Sequence, residues 1–232
     1  MNFNFEQGEI LLVNKPRKWT SFDVVNLVRN YIRKDLGLRK LKIGHAGTLD
    51  PLASGLLILC TGRMTKQIEK FKEYDKEYTG TFTLGATTPS FDLEQEIDQH
   101  YPWEHVTREN ILGAVKSMTG TYDQLPPIFS ANKIKGKRAY EYARREQEVV
   151  MRPKRITISA FEIEELNLPE IHFRIVCSKG TYIRALARDL GTALNTGAHL
   201  TALCRTRVGP YLLKDAYDIE QIKKLLTTKE SE

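Results

Sequence analysis

Apolar positions along this chain switch repeatedly between the two-residue period of strands and the 3.6-residue period of helices. Glu9-Ile10-Leu11-Leu12-Val13 predicts a first strand, and the Lys15-Pro16 turn leads to a helix starting near Thr20 or Ser21. Thr20 and Asp23 have the spacing of a capping box, and Val24, Val25, Val28, Tyr31 and Ile32 fall on one helical face behind it. Leu56-Leu57-Ile58-Leu59-Cys60 is continuously apolar, the pattern of a strand covered on both faces. A helix over 65–74 precedes a half-buried strand over 78–84, and the polar, acidic stretch 86–106 reads as loop. Another helix runs from about Val106 to Met118 and ends at Gly120. Pro126-Pro127 marks an extended stretch, and a short basic helix is expected over 138–145. Strands follow over 155–166 and 171–177, then a turn at Ser178-Lys179-Gly180-Thr181 with Thr181 as N-cap of a helix over 182–194. A strand over 200–208 and a helix near 219–226 complete the pattern. Without repeats or long linkers, this predicts a single mixed α+β domain over residues 1–232.

One segment stands apart from this scaffold. Gly44-His45-Ala46-Gly47-Thr48-Leu49-Asp50-Pro51-Leu52-Ala53-Ser54-Gly55 places a carboxylate on a glycine-framed loop directly before the buried strand. Pro51 biases Asp50 away from the helical region, and the glycines permit close approach of backbone that a Cβ would block. An Asp before Pro is commonly a turn former, so the loop by itself leaves both a structural and a catalytic reading open. A second feature is electrostatic. With Thr181 as cap, Arg184 is the third residue of its helix, where the macrodipole disfavours a cation by a few tenths of a kcal/mol. An acid or phosphate brought from elsewhere would explain it, as would a side chain that folds back to solvent.

Composition narrows the classes. The chain has 232 residues, 41% hydrophobic and 28% charged, enough to bury a sizeable core. No apolar run approaches the roughly 20 residues of a membrane span, and the N-terminus lacks a signal-peptide pattern, so a cytoplasmic location without membrane contact is expected. Cys60, Cys177 and Cys204 are widely spaced in apolar surroundings and read as reduced core residues; no metal site is indicated. The net charge of +6 is concentrated. Between 133 and 155, nine Lys or Arg (133, 135, 137, 138, 144, 145, 152, 154, 155) face three Glu (141, 146, 148). With Tyr140 and Tyr142 interleaved, this is either a solvated face or a grip on a phosphate backbone.

The glycine-framed loop resembles the catalytic motif of bacterial tRNA pseudouridine-55 synthases of the TruB type. Val13-Asn14-Lys15-Pro16, Asp75-Lys76-Glu77-Tyr78, the run Gln124 to Lys133, Cys177-Ser178-Lys179-Gly180-Thr181-Tyr182-Ile183-Arg184 and Gly197-Ala198-His199-Leu200 agree in the same order. The likeness spans about 11–211, and co-ordered motifs are far more specific than any one of them. It implies the pseudouridine synthase fold, a mixed and mainly antiparallel central sheet flanked by helices with a basic RNA-binding insertion. It implies isomerisation of uridine 55 in the T-loop of tRNA, without metal or cofactor, guide RNA or obligatory protein partner, by a monomer. Asp50 would be the nucleophile, paired with Arg184; Tyr78 would stack on the base or take its C5 proton. Lys15, Tyr182 and Leu203 would line the pocket, and His45 would fill the space left by the flipped base. Lys133, Lys135, Lys137, Arg138, Arg144 and Arg145 would hold the T-arm backbone.

The resemblance has departures. Only a short extension, 212–232, follows the matched part, where many relatives carry a further RNA-binding domain of PUA type. In the acidic loop, Thr88 and Asp92 fit, but Pro89 stands where Asp is common and Gln95 where Gly is common. Competing readings are a non-catalytic tRNA-binding or folding protein, a guide-RNA-dependent synthase subunit, and a nucleoside hydrolase. The last needs an activated water and usually a second acid, and none is visible beside Asp50 in the sequence.

Overall fold

The computed structural model describes residues 3–130, 133–134, 137–139, 142 and 150–227. Its strands are β1 (Ile10–Lys15), β2 (Ile43–His45), β3 (Ser54–Thr61), β4 (Lys76–Leu84), β5 (Ala86–Thr87), β6 (Gln99–His100), β7 (Gly120–Gln124), β8 (Lys133–Ile134), β9 (Lys137–Arg138), β10 (Lys154–Asn167), β11 (Glu170–Cys177), β12 (Ala198–Val208) and β13 (Tyr211–Leu212). The helices are α1 (Ser21–Asp35), α2 (Ile68–Glu73), α3 (Arg108–Ser117), α4 (Ile183–Ala193) and α5 (Ile219–Thr227). Two compact units divide the chain, one of residues 1–78 with 204–232 and the other of residues 79–203.

In the first unit the strand order is β1-β3-β12-β4, with β2 on β3 and β13 on β12. β1 and β2 run antiparallel to β3, whereas β12 meets it in parallel, Cys204 opposite Ser54 and Arg205 opposite Gly55. The apolar run does what its pattern demands. Leu57 and Leu59 pack with Leu11 and Val13 against Val24, Val25, Val28 and Ile32 of α1 and Ile222 and Leu226 of α5. Leu56, Ile58 and Cys60 face the other way, onto Ala46, Val208 and Phe71 of α2. The α1 capping box forms: the Asp23 amide donates to Thr20 Oγ1 at 3.0 Å, and the Thr20 amide donates to Asp23 Oδ2 at 2.8 Å.

In the second unit the order is β12-β4-β11-β10-β7, all antiparallel where β10 meets β11 and β7. Phe82 stacks on Phe173 with centroids 4.1 Å apart, and Phe161 meets both edge-on. The face of α4 that bears Ile183, Leu186, Ala187 and Leu190 is buried.

Several sequence expectations need correction. The helix expected over 65–74 is a 3₁₀ turn, Gly62–Gln67, followed by the shorter α2. The loop over 86–106 contains the β5–β6 pair. Gly120 opens β7 rather than only ending α3. Arg138 lies in β9, paired with Lys133, not in a helix; Ala139 and Tyr142 are helical as expected, and the rest of 140–145 lies outside the described residues. Thr181 does not cap α4. Its hydroxyl turns back to donate to Ser178 O at 3.0 Å, and Tyr182 is the N-cap, with no capping bond from its side chain. Cys60 and Cys177 are buried as expected, whereas Cys204 is half-buried.

Candidate active site

The Asp50 loop belongs wholly to the first unit and is held at several points. Ser21, the first residue of α1, accepts from the Leu49 amide at 2.9 Å and donates to Leu49 O at 3.1 Å. Leu49 is buried, so the residue before Asp50 is fixed by both packing and backbone bonds. The Ala53 amide donates to Asp50 O at 3.1 Å, closing a turn over Pro51, and the Lys18 amide donates to Pro51 O at 2.7 Å. Asp50 itself is half-buried.

Lys15, at the end of β1, is fully buried. Its ammonium donates to Trp19 O at 2.6 Å, Pro16 O at 2.9 Å and Pro51 O at 3.4 Å. Burial pushes its pKa from the usual 10.5 down to about 8, partly offset by the negative charge of Asp50. The resemblance assigned Lys15 and Asp50 to one site, and the first unit holds them within electrostatic reach of each other. His45, at the end of β2, is half-buried, and its enclosed Nδ1 finds no hydrogen-bond partner among the described residues. Desolvation lowers its pKa, so the ring is neutral at pH 7. Tyr78 is half-buried on β4.

In the second unit Arg184 is the second residue of α4 and is 5% exposed. Its Nη1 donates to Ser90 O at 3.0 Å and Nη2 to Phe129 O at 2.9 Å, and Nε lies 3.5 Å from Asp92 Oδ2. The cation at a helix N-terminus is therefore offset by a buried carboxylate and two carbonyls. Asp92 is locked in turn: Ser90 Oγ donates to its Oδ1 at 2.6 Å and the Glu94 amide donates to it at 3.0 Å. Tyr182 is clamped by the buried Gln124 side chain, which accepts from its amide at 2.9 Å and donates to its carbonyl at 3.2 Å. The Lys154 ammonium sits 5.7 Å from the Tyr182 ring centroid. Leu203 is half-buried on β12.

Of the predicted backbone-gripping residues, Lys133, Lys137 and Arg138 lie on the β8–β9 pair. Lys135, Arg144 and Arg145 lie outside the described residues. A basic feature that sequence reasoning missed is a cleft of about 660 Å³ in the first unit, lined among others by Glu6, Arg39, Lys40, Lys42, Arg63 and Lys66. Leu38 and Leu41 pack on the core and turn Arg39, Lys40 and Lys42 outward. The Gly62 amide donates to Lys42 O at 2.9 Å, which brings the second basic strip alongside the first. The signal in the sequence was the Leu-Arg-Lys-Leu-Lys pattern; its partner strip lies some twenty residues away and is brought alongside by the β2–β3 pairing and the Gly62–Lys42 bond beside it.

Among the described residues no group of three or more His, Cys, Asp or Glu is placed to hold a metal ion, and no helix is long and apolar enough to cross a membrane.

Residues 33–183 match the TruB family pseudouridylate synthase N-terminal domain, and residues 184–232 match the tRNA pseudouridylate synthase B C-terminal domain. The tRNA pseudouridine synthase B of Phocaeicola vulgatus is 56% identical over 99% of this chain and 97% of its own. That of Flavobacterium johnsoniae is 53% identical over 95% and 96%. Among solved structures, a chain of a Cbf5-Nop10-Gar1 complex superposes with a TM-score of 0.72 at 27% identity, covering 97% of this chain. This chain spans 56% of that chain's length. The mixed sheet flanked by helices is thus the fold of known pseudouridine synthases. By the family match and by identity over nearly its whole length, the chain belongs to the TruB family of pseudouridylate synthases.

Proposed function

We propose that this protein isomerises uridine 55 in the T-loop of tRNA to pseudouridine, residues 1–232 acting as one catalytic domain, in the cytoplasm, as a monomer without guide RNA. The observation that carries the reading is the fixed Asp50 loop: a carboxylate between two anchored neighbours, beside a buried ammonium, in a chain 56% identical to a tRNA pseudouridine synthase B. In the reaction the N1–C1′ bond breaks, the base turns, a C5–C1′ bond forms, C5 loses its proton and N1 gains one. No oxidant, reductant or metal enters that balance.

Asp50 attacks ribose C1′ or uracil C6, and must be ionised and poorly solvated to do so. Lys15 favours that state by its charge. Arg184 is proposed as a further partner for Asp50, its orientation maintained by Asp92. Tyr78 stacks on the base or accepts the C5 proton. Tyr182 and Leu203 bound the pocket. The target uridine is flipped from its loop at a cost of a few kcal/mol, and His45, neutral and half-buried, takes its place in the stack. Positive charge over 133–155 and in the 39–66 cleft supplies the sequence-independent grip on the T-arm phosphates.

The test is tritium release from C5-labelled uridine in an unmodified tRNA transcript, wild type beside Asp50→Asn, with a transcript lacking the T-loop uridine as control. Release by the wild type alone, lost with that uridine, is the expected result. Tight tRNA binding with no release would replace the reading with that of a tRNA-binding protein.

A further inference from the structure

The first unit contains a buried cation that neither the resemblance nor the sequence singled out. Arg205, on β12, is 1% exposed. Its Nε donates to Leu56 O at 2.8 Å and its Nη2 donates to Gly47 O at 3.2 Å. These two carbonyls stand on either side of Asp50, one in the entry to the loop and the other just inside β3. The main chain adds a third tie. Gly55 has φ +106°, and a Cβ built there would lie 2.4 Å from Arg205 O, so β12 presses directly on the loop's end. Among the described residues no carboxylate lies within 4.0 Å of the guanidinium. Its charge acts on Lys15 alongside that of Asp50, which sets all three in one electrostatic neighbourhood.

We propose that Arg205 is a positioning residue: a single guanidinium bridges the two ends of the catalytic loop and thereby sets where the Asp50 carboxylate stands. The fork is essential to this role, because its donors point to two carbonyls at once from a rigid plane, whereas a lysine ammonium is a compact charge on a flexible stem. The assignment rests on Asp50 being the nucleophile. A buried arginine serves no surface purpose here, and among the described residues both of its side-chain bonds end on the loop or on the first residues of the strand that follows it.

The experiment compares wild type, Arg205→Lys and Arg205→Ala in three readouts: tRNA affinity, single-turnover tritium release, and hydrogen exchange at the Leu49 and Ala53 amides. The expected result is folded protein, tRNA affinity within about twofold, and release slowed ~100-fold in both variants, the scale of an ångström misplacement. Exchange quickens at the two loop amides and not in the α1 core. Millimolar guanidinium restores part of the Arg205→Ala rate, and methylammonium does not. Wild-type release by Arg205→Lys, unchanged loop exchange, a rate loss that merely follows weakened tRNA affinity, or failure of both variants to fold would each overturn the assignment. A silent wild type would instead count against the proposed activity, and the exchange readout would still decide the role of Arg205 in the loop.

Discussion

The Lys15 ammonium donates to the carbonyl of Pro51, the residue next to Asp50, at 3.4 Å. A buried lysine thus serves the loop twice, as a backbone donor and as the positive charge facing the carboxylate. Its pKa, down at about 8, gives both roles a pH signature.

Between about pH 8 and the ordinary value of 10.5, the unfolded chain retains the Lys15 proton that the folded protein has released. The unfolded state then binds more protons, so this group makes stability rise with pH across that window and contributes no slope below it. Activity runs the other way, because deprotonation removes the charge facing Asp50. We expect single-turnover release to fall above about pH 8 while the urea midpoint gains from this group. Lys15→Met removes both slopes. Identical pH profiles for wild type and Lys15→Met would remove Lys15 from the account.

Glycine positions in the first unit separate strain from crowding. Gly37 has φ +69° and open space around a Cβ, so Gly37→Ala carries only the left-handed penalty of about 1–2 kcal/mol. Gly55 combines φ +106° with the backbone of Arg205 at 2.4 Å, and overpacking adds about 1–3 kcal/mol. Chemical denaturation is expected to rank Gly55→Ala well below Gly37→Ala. Equal midpoints would mean that β12 yields where it presses on the loop.

Much of this architecture was legible in the chain. The double-faced packing of β3 follows from five consecutive apolar residues, and the α1 start follows from Thr20 and Asp23. The Asp50 loop was legible because its glycines permit, and its proline imposes, a particular local backbone path. What escaped were long-range partners. Nothing near Arg184 in sequence announces Asp92, and nothing near Arg205 announces Gly47; tertiary packing makes both meetings. Thr181 is not the cap because the helix begins one residue later than the pattern suggests, behind Tyr182, while the Thr181 hydroxyl donates back to Ser178 O.

The Asp92–Arg184 pair yields a third prediction. Both side chains are nearly inaccessible, and Asp92 is oriented by Ser90 and Glu94. Asp92→Asn keeps the shape but removes the charge beside Arg184, and breaking a buried pair costs about 3–5 kcal/mol when the remaining charge stays buried. The expected outcome is a lowered melting temperature and slower single-turnover release, with tRNA affinity changed less than rate. A variant that matches wild type in both would show that the Asp92 charge is not needed to hold the guanidinium.

The basic cleft of the first unit makes the last prediction, about salt. Arg39, Lys40, Lys42, Arg63 and Lys66 are exposed around a cavity whose one lining carboxylate is Glu6, so electrostatic attraction to a polyanion is its dominant property. Each phosphate that the protein ceases to neutralise lowers the slope of log affinity against log salt by about 0.7 to 0.9, depending on whether the RNA is single- or double-stranded there. Replacing Lys40, Lys42 and Lys66 by Gln is expected to weaken tRNA binding at low salt and to flatten the slope by about 2. The weakening should shrink as salt rises, because counterions screen the wild type as well. Neutralising Lys133, Lys137 and Arg138 on the β8–β9 pair provides the comparison. Additive slope changes would mean that both surfaces grip RNA at once, and an unchanged slope after the cleft substitutions would assign the phosphate grip to the 133–155 segment alone.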